Sequence, residues 1–192
     1  MKKIFALLLV VAMVVSMAAC SGNDGGKDAS VGPDSALAAL EKIWGLYGED
    51  DKFPIMGGDY EAMVDGEPGK YDMAQKESLC SQLHLPEDQM DNIDEAATMI
   101  HMMNANTFSC GALHLTSGVN VAEYAKALRD SIQATQWMCG FPDKLLIADL
   151  GGQYVLVAFG GESEDWHGIN TLEAKLKEAY SSANVLYSET IA

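Results

Sequence analysis

Apolar residues recur at helical spacing at Leu37, Leu40, Ile43, Trp44 and Tyr47, bounded by Pro33-Asp34 on one side and Gly48 on the other. Proline before the first turn and glycine after the last are start and stop signals, so the pattern predicts a helix over 34–47. From Glu49 to Tyr71 the periodicity disappears among Pro54, Gly57, Gly58, Gly66, Pro68 and Gly69, which predicts no regular element of any length there. Met73 to Leu83 admits a helix that must end before Pro86.

The pattern changes after Asp94. Ala96–Met103 and Thr107–Leu115 are apolar-rich runs separated by Asn104-Ala105-Asn106, which reads as a β-hairpin, with a helix over 94–103 as the alternative. Val121, Tyr124, Ala125, Leu128, Ile132 and Thr135 form a 3.6-residue stripe with Glu123, Lys126, Arg129 and Asp130 off it, predicting an amphipathic helix over 119–137. Leu145–Leu150 and Gln153–Phe159 are β-rich runs joined by Gly151-Gly152, the two-residue linker of a tight hairpin with positive φ. Both runs are apolar on both faces and belong at or near the middle of a sheet. Asn170 followed by Glu173 resembles an N-cap with its N3 partner, opening a last helix with Leu172, Leu176 and Tyr180 on its apolar face. Two hairpins with a helix between them predict an α+β fold: an antiparallel sheet built from two β-hairpins, with helices packed on one face, in one domain over 33–192.

The N-terminus follows a different pattern. Lys2 and Lys3 precede an uncharged apolar run, Ile4 to Val15, whose 12 residues suit a secretory signal and fall short of a membrane span. Met17-Ala18-Ala19-Cys20 then resembles the lipobox of bacterial lipoproteins, with Met17 where leucine is usual. This resemblance implies cleavage after residue 19, a diacylglycerol on Cys20, and a cell-membrane location on the extracytoplasmic face; two acyl chains suffice for stable anchoring. Ser21 to Gly32 is rich in Gly, Ser, Asn and Asp and reads as a flexible tether. The alternative is an ordinary secreted protein in which Cys20 is incidental.

Charge narrows the partners. The full chain has 12 Lys and Arg against 28 Asp and Glu, a net charge of −16. A surface so anionic excludes nucleic acid as a partner and is repelled by anionic headgroups, leaving the lipid itself to hold the protein at a membrane.

The lipobox, tether, acidic domain, amphipathic helix, Leu145–Phe159 hairpin and closing helix together resemble a family of lipoproteins from Gram-positive-type bacteria that has no assigned activity. Over roughly residues 75–180 the resemblance is one of element order. It implies location and architecture, and no catalytic residue.

Candidate chemistry is sparse. Cys80, Cys110 and Cys139 remain beside Cys20, with no CxxC spacing, so structural thiols, a single disulfide or a reactive thiol are the readings they allow, in that order. Met99, His101 and Met103 would share one face of a strand and are the soft donors that cuprous copper prefers; such runs also serve as pliable core filling. Asp59, Glu61, Asp65, Glu67 and Asp72 gather carboxylates, but Gly66 and Pro68 break an EF-hand frame, and a solvated acidic loop is the better reading. His84, His114 and His167 have no zinc-hydrolase spacing, and GxSxG, P-loop and dinucleotide motifs are absent. Trp137, Phe141, Tyr154 and Trp166 lie near element ends, where packing or a ligand platform could employ them. The expectation is therefore a non-catalytic binding or accessory protein with no cofactor, anchored through Cys20, whose ligand is a protein, a cell-wall component or a small molecule. Copper handling or thiol redox is the alternative.

Overall fold

The structure, a computed structural model, describes residues 32–103, 107–163 and 168–192. The lipobox, Cys20 and most of the tether lie outside them, as do Asn104-Ala105-Asn106, Trp166 and His167.

Among the described residues, eight strands form one antiparallel sheet. In chain order they are β1 (Ile55–Gly57), β2 (Val64–Asp65), β3 (Gly69–Tyr71), β4 (Ile93–His101), β5 (Phe108–Leu115), β6 (Lys144–Gly151), β7 (Tyr154–Gly160) and β8 (Asn184–Thr190). Their spatial order is β2-β1-β4-β5-β7-β6-β8, with β3 also paired to β4. Among the described residues the α-helices are α1 (Ala36–Trp44), α2 (Lys76–Leu83), α3 (Val121–Gln133) and α4 (Ile169–Ala179).

Local chemistry accounts for the helix starts. Ser35 Oγ accepts from Ala38 N at 3.0 Å to open α1, and Asn120 Oδ1 accepts from Ala122 N and Glu123 N to open α3. On α3 the buried residues are Tyr124, Ala125, Leu128 and Ile132, four members of the expected stripe. Segment 94–103 lies mostly within β4, so the strand reading holds over the helical one; Ala97 pairs with Ala112 and Met99 with Cys110.

Three expectations are corrected. Helices cover both faces of the sheet, not one. Every residue of β7 is buried, and alternation splits it: Tyr154, Leu156 and Ala158 pack in the core that includes α1 and α4, while Val155, Val157 and Phe159 pack in the core that includes α2 and α3. A strand apolar on both sides needs cover on both. Second, the tight turn is displaced by one residue. Gly151 pairs with Tyr154 beside a register shift, so the linker is Gly152-Gln153, both with positive φ. Gln153 tolerates that geometry because its side chain is tied down, Nε2 donating to Thr116 O and Val119 O. Third, Gly168 precedes α4 as its cap residue without a side-chain bond. Asn170 is one position inside the helix, where its amide donates to Glu162 O at 2.8 Å and accepts from Lys144 Nζ at 2.6 Å.

The sheet also exceeds two hairpins. The irregular segment adds β1, β2 and β3, each two or three residues long, and β8 joins the far edge next to β6. β8 is held from two helices: Glu189 accepts from Arg129 and Gln133 of α3, and Ser188 donates to Glu173 of α4.

The two ends of the sheet differ. Gly32, where the chain arrives from the tether, lies against the β6–β7 turn so closely that a Cβ there would overlap the Gly151 carbonyl. Phe108 and its partner Gly160 lie at the opposite end, roughly 20 Å away along β7 at about 3.3 Å per residue.

Candidate functional site

Two cavities meet at His84. The larger, about 860 Å³, is a cleft lined by Lys76, Glu77, Cys80, Ser81 and His84 on one side and by Ser131 and Thr135 at the end of α3 on the other, with Glu87 and Met90 also in its wall. The smaller, about 160 Å³, lies at the end of the sheet away from Gly32, and His84, Gln82, Trp137, Phe159, His101, Met103 and Cys139 are among the residues lining it.

His84 is placed by the end of α2. It is the cap residue, in the left-handed region at φ 52°, and its N–H closes onto Cys80 O. Histidine is one of the few side chains other than glycine enriched in that conformation. Its ring lies edge-on to Trp137, with centroids 4.6 Å apart, and 5.4 Å from Phe159; Trp137 and Phe159 are themselves 5.2 Å apart. Burial pushes the His84 pKa below its usual value, so the imidazole is neutral at physiological pH.

Cys80 and Cys110 are not poised for attack. Cys80 donates to Leu85 O at 3.2 Å, and burial, with Glu87 nearby, pushes its pKa up. Cys110 is completely buried, and its pKa is raised by that burial. A thiol held protonated is a poor nucleophile. Cys80, Cys110 and Cys139 are all free, so the disulfide reading falls away, and Cys139 is the exposed one.

The Met99, His101, Met103 set is only partly brought together. Met99 is fully buried in the core beneath α1. His101 stacks on Phe53 at 5.6 Å, and its Nδ1 accepts from Met103 N at 2.9 Å. Met103 lies past the end of β4 and is exposed, so strand alternation no longer governs it; it lines the smaller cavity with His101. Among the described residues, no group of three or more His, Cys, Asp or Glu side chains is arranged to hold a metal ion.

The carboxylate-rich loop is organised around one buried acid. Asp59 accepts from Glu61 N, Ala62 N and Asp72 N, with Gln75 Nε2 farther off at 3.4 Å. The bond from Glu61 leads those that hold its pKa below the usual carboxylate range. Its oxygens therefore close the loop onto itself; Glu61, Asp65, Glu67 and Asp72 remain at the exposed surface. His114 pairs with Asp94 and contacts the Tyr154 ring, away from both cavities.

Comparison with protein-family models, with curated proteins and with solved structures finds no match. Of the aromatic residues singled out in the sequence, Trp137 reaches a cavity, Phe141 is exposed, and Tyr154 is buried in the core. His84 and Gln82 carried no signal as isolated residues. The available signal was Cys80 four residues before His84, which puts both on one face of a helix.

Proposed function

We propose that the protein is a lipid-anchored, extracytoplasmic binding protein that acts without catalysis. In this reading, diacylglycerol on Cys20 holds it at the cell membrane, and the cavities joined at His84 receive a protein, cell-wall component or small molecule. The observation that carries the reading is the polarity of the sheet. Gly32, next to the tether, abuts the Gly151-Gly152 end, whereas the smaller cavity is at the Phe108 and Gly160 end, the end farthest from the attachment. The protonated Cys80 and neutral His84 suit a wall that offers shape and hydrogen bonds better than one that supplies a nucleophile. Cys20 and its lipobox supply the membrane part of the reading, as in the lipoprotein family that the chain resembles.

Exposed Cys139 allows a direct test. A membrane-impermeant maleimide applied to intact cells should label wild-type protein on Cys139 and leave Cys139→Ser unlabelled there, while Cys20→Ala should leave the membrane fraction or stay unprocessed. Labelling of Cys139 only after lysis, or fractionation unaltered by Cys20→Ala, would overturn the reading.

One observation favours a second reading, copper handling or thiol redox: His101, Met103 and Cys139 line the same cavity. One equivalent of copper in purified protein, lost in His101→Ala and Met103→Leu, would establish it in place of the first.

A further inference from the structure

Exposed apolar side chains gather at the end of the sheet away from Gly32. Among the described residues seven large hydrophobic side chains are exposed, and four of them, Met102, Met103, Met138 and Phe141, come from the two segments that wall the smaller cavity. Met103, Trp137 and Cys139 line that cavity; Met102 precedes the first, Met138 lies between the other two, and Phe141 is two residues beyond Cys139. Met138 and Phe141 are 88% and 73% exposed, so neither is held by the core. Such residues scattered singly are ordinary, but four around one cavity mark a surface that a partner covers.

The charge around this rim selects the partner. Asp143, exposed and two residues from Phe141, accepts from Glu162 N at 3.4 Å, which brings a second exposed acid beside it. On the other side of the cavity Phe53 stacks on His101, and the exposed Asp50 and Asp51 precede Phe53 by three and two residues. The nearby lysines are engaged, Lys52 with Glu49 at 3.0 Å and Lys144 with Asn170 at 2.6 Å and Glu173 at 3.8 Å. A second copy would bring the same carboxylates and a net charge of −16 to the contact, and an anionic bilayer would be repelled as well. A partner whose basic residues flank an apolar face gains from both the apolar rim and the acids around it.

We propose that this rim docks a cationic amphipathic helix of a partner protein. The apolar face of that helix lies on Met102, Met103, Met138 and Phe141, and its lysines and arginines meet the carboxylates of Asp50, Asp51, Asp143 and Glu162. The cavity behind the rim, about 160 Å³ or roughly five times the liquid volume of one water, takes a single side chain of the apolar face as an anchor. Methionine suits such a surface, because its unbranched, polarizable side chain moulds itself to whatever apolar face arrives. The inference rests on the reading of this end as the binding face and names the kind of partner received there.

The test uses the full chain, labelled with 13C at the methionine methyls and reconstituted in phosphatidylcholine nanodiscs. The probe is a peptide of about 18 residues, with leucine at i, i+3, i+4 and i+7 of each repeat and lysine elsewhere. The methyl resonances of Met102, Met103 and Met138, identified by their loss in single leucine variants, should shift saturably. That of Met63, exposed just before β2, should stay in place. A peptide of the same composition in scrambled order, and one with glutamate for lysine, should each bind more weakly by about tenfold or more. Met138→Gln together with Phe141→Ser, both at exposed positions, should weaken binding by about tenfold, and Asp50→Asn with Asp143→Asn should flatten its dependence on salt. Bound peptide should also slow alkylation of the exposed Cys139. No saturable shift, equal binding of the scrambled peptide, or an equal shift of Met63 overturns the proposal. So do the same methyl shifts on concentrating the protein alone, which would mean a second copy, or on adding phosphatidylcholine vesicles without peptide, which would mean a bilayer. Because these measurements do not depend on cell location, loss of peptide binding leaves the anchoring result standing, and loss of surface labelling leaves the peptide result standing.

Discussion

The His84 imidazole lies 4.6 Å from the Trp137 indole, centroid to centroid, with the ring planes at 65°. One residue ends α2 and the other lies just past α3, so this contact ties together the ends of the two helices on that face of the sheet.

The contact predicts a pH dependence. His84 has a pKa below its unfolded value, so the folded state binds fewer protons than the unfolded chain at mildly acidic pH. Its contribution is present above the unfolded pKa of about 6.5 and is lost as pH falls toward the folded value. The melting temperature should drop between about pH 7 and pH 5 more in wild type than in His84→Asn, whose side chain also tolerates the left-handed cap. Equal slopes in a thermal melt series would refute the assignment.

Val157 tests the middle of the sheet. It is fully buried on β7, paired with Gly111 and Ile147 and packed in the core that includes α2 and α3. Val157→Asp leaves a carboxylate unpaired in that core and should cost about 3 kcal/mol or more. Chemical denaturation gives the value, and a near-neutral change would contradict the placement.

Leu128 measures the contribution of α3. It is fully buried on the helical stripe, and Leu128→Ala should destabilise by about 2–5 kcal/mol, while Lys126→Ala, at an exposed position of the same helix, should leave the unfolding midpoint nearly unaltered. Equilibrium unfolding of the two variants makes the comparison.

The three described thiols should react in order of exposure and thiolate content. Cys139 is exposed, Cys80 is half-buried with its pKa raised, and Cys110 is completely buried. Alkylation followed by peptide mass spectrometry should modify Cys139 first, Cys80 more slowly, and Cys110 only on unfolding. Early modification of Cys110 would mean that its core opens.

Asp59 should govern the local order of its loop. Asp59→Ala removes the acceptor for Glu61, Ala62 and Asp72 amides, so hydrogen exchange at those three positions should accelerate while the β6–β7 hairpin keeps its protection. Unaltered exchange at all three would show that the loop is held by other contacts.

The elements legible in the sequence were those whose own residues carry the signal. The α3 stripe has a 3.6-residue period, and β6 and β7 are short apolar runs around a glycine turn, so periodicity and turn chemistry sufficed. The placement of helices on both faces was implicit in β7, whose seven residues are all buried, yet the helical pattern does not record which face each helix takes. β1, β2 and β3 are two or three residues long and exist through pairing with β4 or with one another; no local period can announce them. β8 is partly exposed along much of its length and is secured by pairing with β6 and by Arg129, Gln133 and Glu173. The candidate site depends still more on distance along the chain. Gln82 and His84 come from the end of α2, Trp137 from beyond α3, and Phe159 from β7, so their shared cavity is a consequence of packing. By itself the sequence determined the sheet-forming hairpins, the amphipathic helices and the acidic charge, because these are properties of neighbouring residues. Only the tertiary structure decided which side chains meet at His84, because burial and ring contacts are settled between segments remote in sequence.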